Sequence, residues 1–241
     1  MDRDPYILLI DTATTVCSVA LAAAGRVLSC LEDDEPNVHA SKLTPLIGQL
    51  MEQAQLKYED LSAVAVAKGP GSYTGLRIGV SVAKGLCYAA DLPLIGVDTL
   101  LSLAGGFLDR YPHLVPDTGA ADETFLCPMI DARRMEVYCA VYKVREGLPV
   151  ELRPTQALVI DETSFDFLDQ GQRLLLFGTG ADKFADLFRG HKQFHVYPGF
   201  ASSAKALAAP AFDAYSKQDY VDLAYFEPFY LKNFIPTTPK K

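Results

Sequence analysis

The sequence predicts an α/β protein built of two lobes. Three observations carry that expectation. The chain opens with three strand-like runs and then alternates helix with strand. From Phe125 onward the same order returns in looser form, as if a β-rich start followed by α/β alternation had been duplicated. Apolar residues make up 49% of the 241, enough to fill a sizeable core.

In the first half, Ile7 to Ile10 reads as a buried strand ending at Asp11-Thr12. Val16 to Ala23 and Arg26 to Leu31 read as two more, turned at Ala24-Gly25. A solvated loop, 33–37, leads to a helix over 39–55, where Leu43, Leu46, Ile47, Leu50, Met51 and Ala54 recur at helical spacing. Strand 61–67, helix 74–90, strand 93–97 and helix 98–108 complete this lobe. A connector with Pro112, Pro116 and Gly119 follows. In the second half, 125–130 and 136–144 read as strands flanking Asp131-Ala132-Arg133-Arg134, and 157–160 as a third. Leu174 to Phe177 is a strand ending in Gly178-Thr179-Gly180, 181–188 a helix, 195–197 a short strand and 201–215 a helix. The expected division is 1–109 for the first lobe, 110–221 for a smaller second lobe and 222–241 for an extended, proline-bearing tail.

A net charge of −8 with no long basic run argues against a primary nucleic-acid binder, since phosphate recognition needs clustered Lys and Arg. The apolar run after the charged start, 6–10, is too short for a signal-peptide core or a membrane span. Cys17, Cys30, Cys87, Cys127 and Cys139 form no C-x-x-C and are odd in number, as expected of reduced thiols in a cytoplasmic protein. His191 and His195 are four apart, but Gln193 to Tyr197 reads as strand, and four strand residues span about 13 Å, too far for one metal. No metal is expected. His39 before a helix and His113 in the connector suit capping or surface roles.

The segment Lys68-Gly69-Pro70-Gly71-Ser72-Tyr73-Thr74-Gly75-Leu76-Arg77-Ile78-Gly79 joins a strand to a helix through a glycine–proline turn. Such a junction can bare N–H groups to an anion, although its spacing is neither the Walker loop nor the dinucleotide fingerprint. Within that helix Gly75, Gly79, Ala83 and Cys87 form a small stripe at steps of four, and Ile78, Val82 and Leu86 a large apolar one beside it. A helix apolar on most sides is buried on most sides, so beyond the sheet it needs either the 39–55 helix or another chain as cover. Gly178 to Ala181 reads equally well as a nucleotide-facing turn or a plain strand–helix turn.

Three stretches, GPGSYTGLRIGVSVAKGL, ILLIDTATTVCSVAL and IDARRMEVY, together resemble the bacterial TsaB (YeaZ) family, a relative of TsaD. The likeness spans nearly the whole chain; the second stretch is shared with TsaD, and Met135 stands where the family often has glycine. The resemblance implies the actin/Hsp70/sugar-kinase type of α/β fold with a reduced second lobe. It further implies a non-catalytic accessory subunit required for threonylcarbamoyladenosine (t6A) at position 37 of tRNA. Its partners would be a TsaD-like catalytic subunit, a TsaE-like ATPase, tRNA indirectly, and a second copy of itself when alone. No cofactor of its own is implied; ATP or ADP would bind at a partner interface. The two helices would form that interface through Leu46, Ile47, Leu50, Arg77, Ile78, Ser81 and Val82. Where TsaD-like chains carry a metal-binding histidine pair, this chain has Thr99 and Leu103; where they carry further acidic residues after the first strand, it has Thr15, Val16 and Cys17.

Two rival classes stay open. A small kinase-like enzyme on the same fold would bring Asp11, Thr12, Gly69, Gly71, Gly178 and Gly180 together around ATP-Mg²⁺. A metallopeptidase, a label the wider family has carried, would need ligands that the sequence does not supply.

Overall fold

The computed structural model describes residues 4–35, 38–115 and 123–232. Ten strands form two five-stranded sheets. β1 (Tyr6–Asp11), β2 (Cys17–Ala23), β3 (Arg26–Asp33), β4 (Ala63–Gly69) and β5 (Leu94–Asp98) make the first, in the order β3-β2-β1-β4-β5. β6 (Thr124–Asp131), β7 (Glu136–Arg145), β8 (Leu148–Val159), β9 (Arg173–Phe177) and β10 (Phe194–Tyr197) make the second, in the order β10-β9-β6-β7-β8. The two orders are one topology. In each sheet the first strand has an antiparallel pair on one side and two parallel strands on the other. The duplication expected from sequence is therefore present, and the fold is the two-lobed α/β architecture.

The parallel strands of the first sheet are buried on both faces, which is why β1 and β4 read as unbroken apolar runs. One face is covered by α1 (His39–Ala54) and α2 (Tyr73–Ala90), which enclose Leu8, Ile10, Val64 and Val66. The other face, with Ile7, Leu9, Ala65, Ile95 and Val97, is covered from the far end of the chain by Ala204, Leu207, Ala208 and Ala211. These last lie in a short 3₁₀ turn and in α4 (Ala208–Ser216). Conversely, α3 (Thr99–Arg110) follows the first sheet in sequence but packs on the second, with Leu100, Leu103 and Phe107 against Leu126, Ile130, Leu175 and Phe177. Phe107 stacks on Phe177 with ring centres 3.9 Å apart. The two sheets thus exchange covering segments, and cuts at 109/110 and 221/222 do not follow the packing.

The tail runs back across the molecule. Val221 N–H bonds to Leu94 O, Phe229 N–H to Lys68 O, and the Lys84 ammonium donates to the carbonyls of Ala224 and Phe226. Lys232 then pairs with Glu136 at the start of β7. No described helix is long and apolar enough to cross a membrane.

Two elements differ from expectation. The third strand of the second sheet begins at Leu148, not Ala157, because its first half is exposed on both faces and carries no one-sided alternation. The segment 181–188 is not a helix: only Ala181–Phe184 forms a 3₁₀ turn, and Asp182 turns its carboxylate to the Gly199 N–H. A run this short does not nucleate a stable α-helix, and Phe184 and Phe188 enter the core from tight turns instead. Pro116 and Gly119 of the connector lie outside the described residues.

Candidate functional site

The glycine–proline junction is closed by the chain itself. Gly69 N–H donates to Thr99 Oγ1 at 3.0 Å, Ser72 N–H to Ala13 O at 2.7 Å and Gly75 N–H to the capping Ser72 Oγ at 3.2 Å. Gly69 has φ +114°, and a Cβ there would lie 2.7 Å from Phe229 O; one at Gly71 would lie 2.4 Å from Ala13 O. These glycines permit close approach of the backbone to its neighbours. Thr12 pins α2 to β1: its hydroxyl donates to Gly75 O at 2.8 Å, and a Cβ at Gly79 would stand 2.2 Å from that hydroxyl oxygen. Gly178, φ +97°, and Gly180 are likewise pressed on the backbone of Met129 and Ile130. The candidate nucleotide residues other than Asp11 thus hold the two lobes' own turns together.

Asp11 is buried at the end of β1. Its Oδ1 accepts the Ala13 N–H at 2.9 Å, the Asx turn expected of a strand end, while Oδ2 has no hydrogen-bond partner. Burial pushes its carboxyl up to about 6, offset in part by the Ala13 amide, Ser202 and His39. His39 Nε2–H donates to Thr14 O at 2.8 Å, and Thr14 and Ser202 share a hydrogen bond of 2.6 Å. Ser202 also lines an open cleft of about 760 Å³, together with Val16, Glu32, Ser102, Asp109 and Arg110. Ser202 and Glu32 had no local sequence signal: Ser18 and Ser203 bond Glu32 across 14 and 171 residues, a pairing only the fold creates.

Thr99 and Leu103 are both buried, the first as acceptor for Gly69 and the second in the α3 core. His195 lies in β10 paired with Leu175, and His191 Nδ1 accepts the N–H groups of Gln193 and Phe194. Among the described residues no three His, Cys, Asp or Glu side chains converge on a point. Burial pushes the Cys17 thiol up to about 11 and Cys87 up to about 12, so both stay protonated near neutral pH.

The helix pair is more open. The small stripe of α2, Gly75, Gly79, Ala83 and Cys87, faces inward. Ile78 and Val82 are half-buried beside Leu46 of α1, and Arg77 and Ser81 are exposed. Two of the expected interface residues are corrected: Ile47 is 1% exposed and Leu50 0%, because their phase on α1 points them into the core against the sheet. Arg77 folds over the Tyr73 ring, 4.7 Å from its centre, on the side of α2 that meets the tail. On the same face of α2 as Ile78, Ser81 and Val82 lies Gly85, mid-helix, where an added Cβ would meet no neighbouring group within 4 Å; Gly48 of α1 is as open but, two residues from Leu46, faces the other flank of its helix. Tyr88, one turn beyond Lys84, is 85% exposed.

The third motif forms the β6–β7 turn. Asp131 Oδ1 accepts Arg133 N–H at 2.7 Å, Asp131 N–H bonds to Thr179 Oγ1, and the Lys183 ammonium donates to the carbonyls of Arg134 and Glu136.

Comparison with known proteins agrees with this geometry. Residues 36–150 match the family described as TsaD, tRNA N6-adenosine threonylcarbamoyltransferase. Over 94% of its length, and 94% of the relative's, the chain is 32% identical to the tRNA threonylcarbamoyladenosine biosynthesis protein TsaB of Escherichia coli. The Bacillus subtilis protein of the same description is 32% identical over 71% of this chain and 69% of its own. The solved structure of YeaZ from Pseudomonas aeruginosa superposes with a TM-score of 0.74 and 25% identity, over 94% of this chain and all of that one. Likeness that runs the length of both chains, in sequence and in fold, leaves one assignment: the chain belongs to the TsaB family.

Proposed function

We propose that the chain is a non-catalytic accessory subunit for t6A formation at position 37 of tRNA, acting by binding a TsaD-like catalytic subunit through α1 and α2. The observation that carries this reading is the open glycine of α2, Gly85. A mid-helix glycine costs roughly 1 kcal/mol relative to alanine. Among the described residues nothing requires Gly85, since a Cβ there would meet no neighbouring group. A second helix laid across Ile78, Ser81 and Val82 supplies the missing reason at Gly85, one turn from Ser81, because close helix contact favours small residues at the crossing. The junction and strand-end residues that would serve a kinase are engaged in internal packing, which supports a binding role over chemistry. In this reading the chain holds no nucleotide or metal of its own, ATP or ADP sits at the partner interface, a TsaE-like ATPase joins the assembly, and the same face pairs two copies when the partner is absent. It acts in the cytoplasm, with tRNA held mainly by the catalytic subunit.

An omit-one reconstitution tests it. TsaD, TsaE, the threonylcarbamoyl-AMP synthase, ATP, threonine, bicarbonate and unmodified tRNA are incubated with and without the chain, and modified nucleoside is counted by mass spectrometry. Product only in its presence is the expected result. Equal product without it overturns the proposal.

A further inference from the structure

The β6–β7 turn is a cationic feature that the proposed helix interface leaves unused. Arg133 and Arg134 are consecutive residues in the left-handed region, φ +70° and +52°. Each is strained there, since an L side chain lacks glycine's freedom in that region. The turn is held in that shape from beneath by Lys183, which bonds Arg134 O at 2.8 Å and Glu136 O at 3.0 Å and pairs with Asp131. The two carboxylates beside the arginines are therefore taken by lysines, Asp131 by Lys183 and Glu136 by Lys232. Both guanidinium groups are exposed and have no ion pair or hydrogen bond among the described residues. In a chain with 30 acidic residues and a net charge of −8, two adjacent arginines kept clear of carboxylates are a local exception to the overall charge.

We propose that this turn contacts the RNA substrate directly, with Arg133 and Arg134 on its phosphates. A guanidinium fork matches phosphate oxygens, and two such groups held side by side on a fixed turn suit consecutive phosphates of one strand. RNA is the occupant because the proposed function supplies a polyanion, the tRNA, whereas the chain itself is acidic overall. The inference rests on the proposed function, which supplies tRNA as substrate, and goes beyond it, since that reading leaves the RNA to the partner.

The test uses the assembled complex of this chain with the TsaD-like subunit and unmodified tRNA, measured by filter retention over a salt series. The variant R133G/R134G removes both charges and relieves the left-handed strain, so its melting temperature holds or rises and loss of fold cannot explain a defect. Expected are about a tenfold or greater loss of tRNA affinity and a log–log salt slope shallower by roughly 1.5, as for two lost phosphate contacts. R133K/R134K keeps the slope near that of the parent. An R133G/R134G complex with unchanged affinity and slope overturns the contact. Assembly is scored separately: a parent chain that never joins the catalytic subunit sinks the proposed function, whereas an assembled complex indifferent to both arginines sinks this contact alone.

Discussion

At the scale of single residues, Asp11 is a carboxylate buried at the end of β1, with Oδ1 accepting the Ala13 N–H and Oδ2 without a hydrogen-bond partner. That an aspartate at a strand end would turn the chain by accepting the Ala13 N–H was legible, because Asx turns need only local geometry. Its burial beneath Ser202, far along the chain, was not. With one oxygen unpartnered, the carboxyl is raised from an ordinary 3.8 to about 6. A raised carboxylate pKa means that the folded state holds the proton more tightly than the unfolded one. The sign follows: stability falls as pH rises from about 4 to about 6 and is flat in this respect above that. A rise of this size corresponds to roughly 3 kcal/mol lost by pH 7. Asp11→Asn keeps an oxygen for Ala13 and removes the charge. It is expected to raise unfolding free energy by about 2 kcal/mol at pH 7.5 and by only a few tenths at pH 4.5, read by urea denaturation at both. An equal gain at the two pH values would mean that the charge is not what Asp11 contributes.

At the scale of elements, α1 and α2 were legible because their apolar residues repeat at helical period, and the phase of α2 was read correctly enough to put its small stripe and large stripe on separate faces. What phase could not decide was which residues of α1 stay outside, and Ile47 and Leu50 went into the core. Spacing says that residues share a face, not what meets it. The failures at 181–188 and at the start of β8 have the same origin, since Ala181, Phe184 and Phe188 suit one helical face but are held by turns, and 148–154 faces solvent on both sides. The open glycine of α2 gives the element-scale prediction. Gly85→Ala is expected to stabilise the isolated chain by about 0.5–1 kcal/mol, since the helix gains propensity and the methyl meets nothing. The same methyl is expected to weaken association with the catalytic subunit, measured by calorimetric titration, by tenfold or more. A variant that is more stable and binds as well as the parent would remove this face from the interface. Val82, half-buried at its edge, serves as a charge-reversal control.

At the scale of the molecule, the duplicated strand order was visible in outline, but the exchange of covers between the sheets was not, because nothing in 99–110 or 204–216 states which sheet each will meet. That exchange has a mechanical consequence. A fragment ending at residue 110 keeps the whole first sheet yet loses Ala204, Leu207, Ala208 and Ala211 from one face of it, exposing Ile7, Leu9, Ile95 and Val97. It also strands the apolar side of α3, with Leu100, Leu103 and Phe107, away from the sheet that buries it. Seven large side chains at roughly 1.5–3 kcal/mol each sum to about 10–20 kcal/mol, as much as the whole stability of an ordinary domain, about 5–15 kcal/mol. The fragment is therefore expected not to fold, showing no protected amides in β1 or β4 by hydrogen exchange. In the intact chain the amides of β1 and β4 are expected to open with the same free energy as those of β6 and β9, because neither sheet can lose its partner and keep its cover. Separate opening energies for the two sheets, or a protected 1–110 fragment, would show instead that each lobe stands by itself and that the crossing segments only decorate it. The distinction matters for the proposed role. If the sheets unfold only together, strain placed on α2 by a partner is shared with the second lobe, through α3 and through the tail that joins Lys68 to Glu136. The helix face and the arginine turn then belong to one rigid surface.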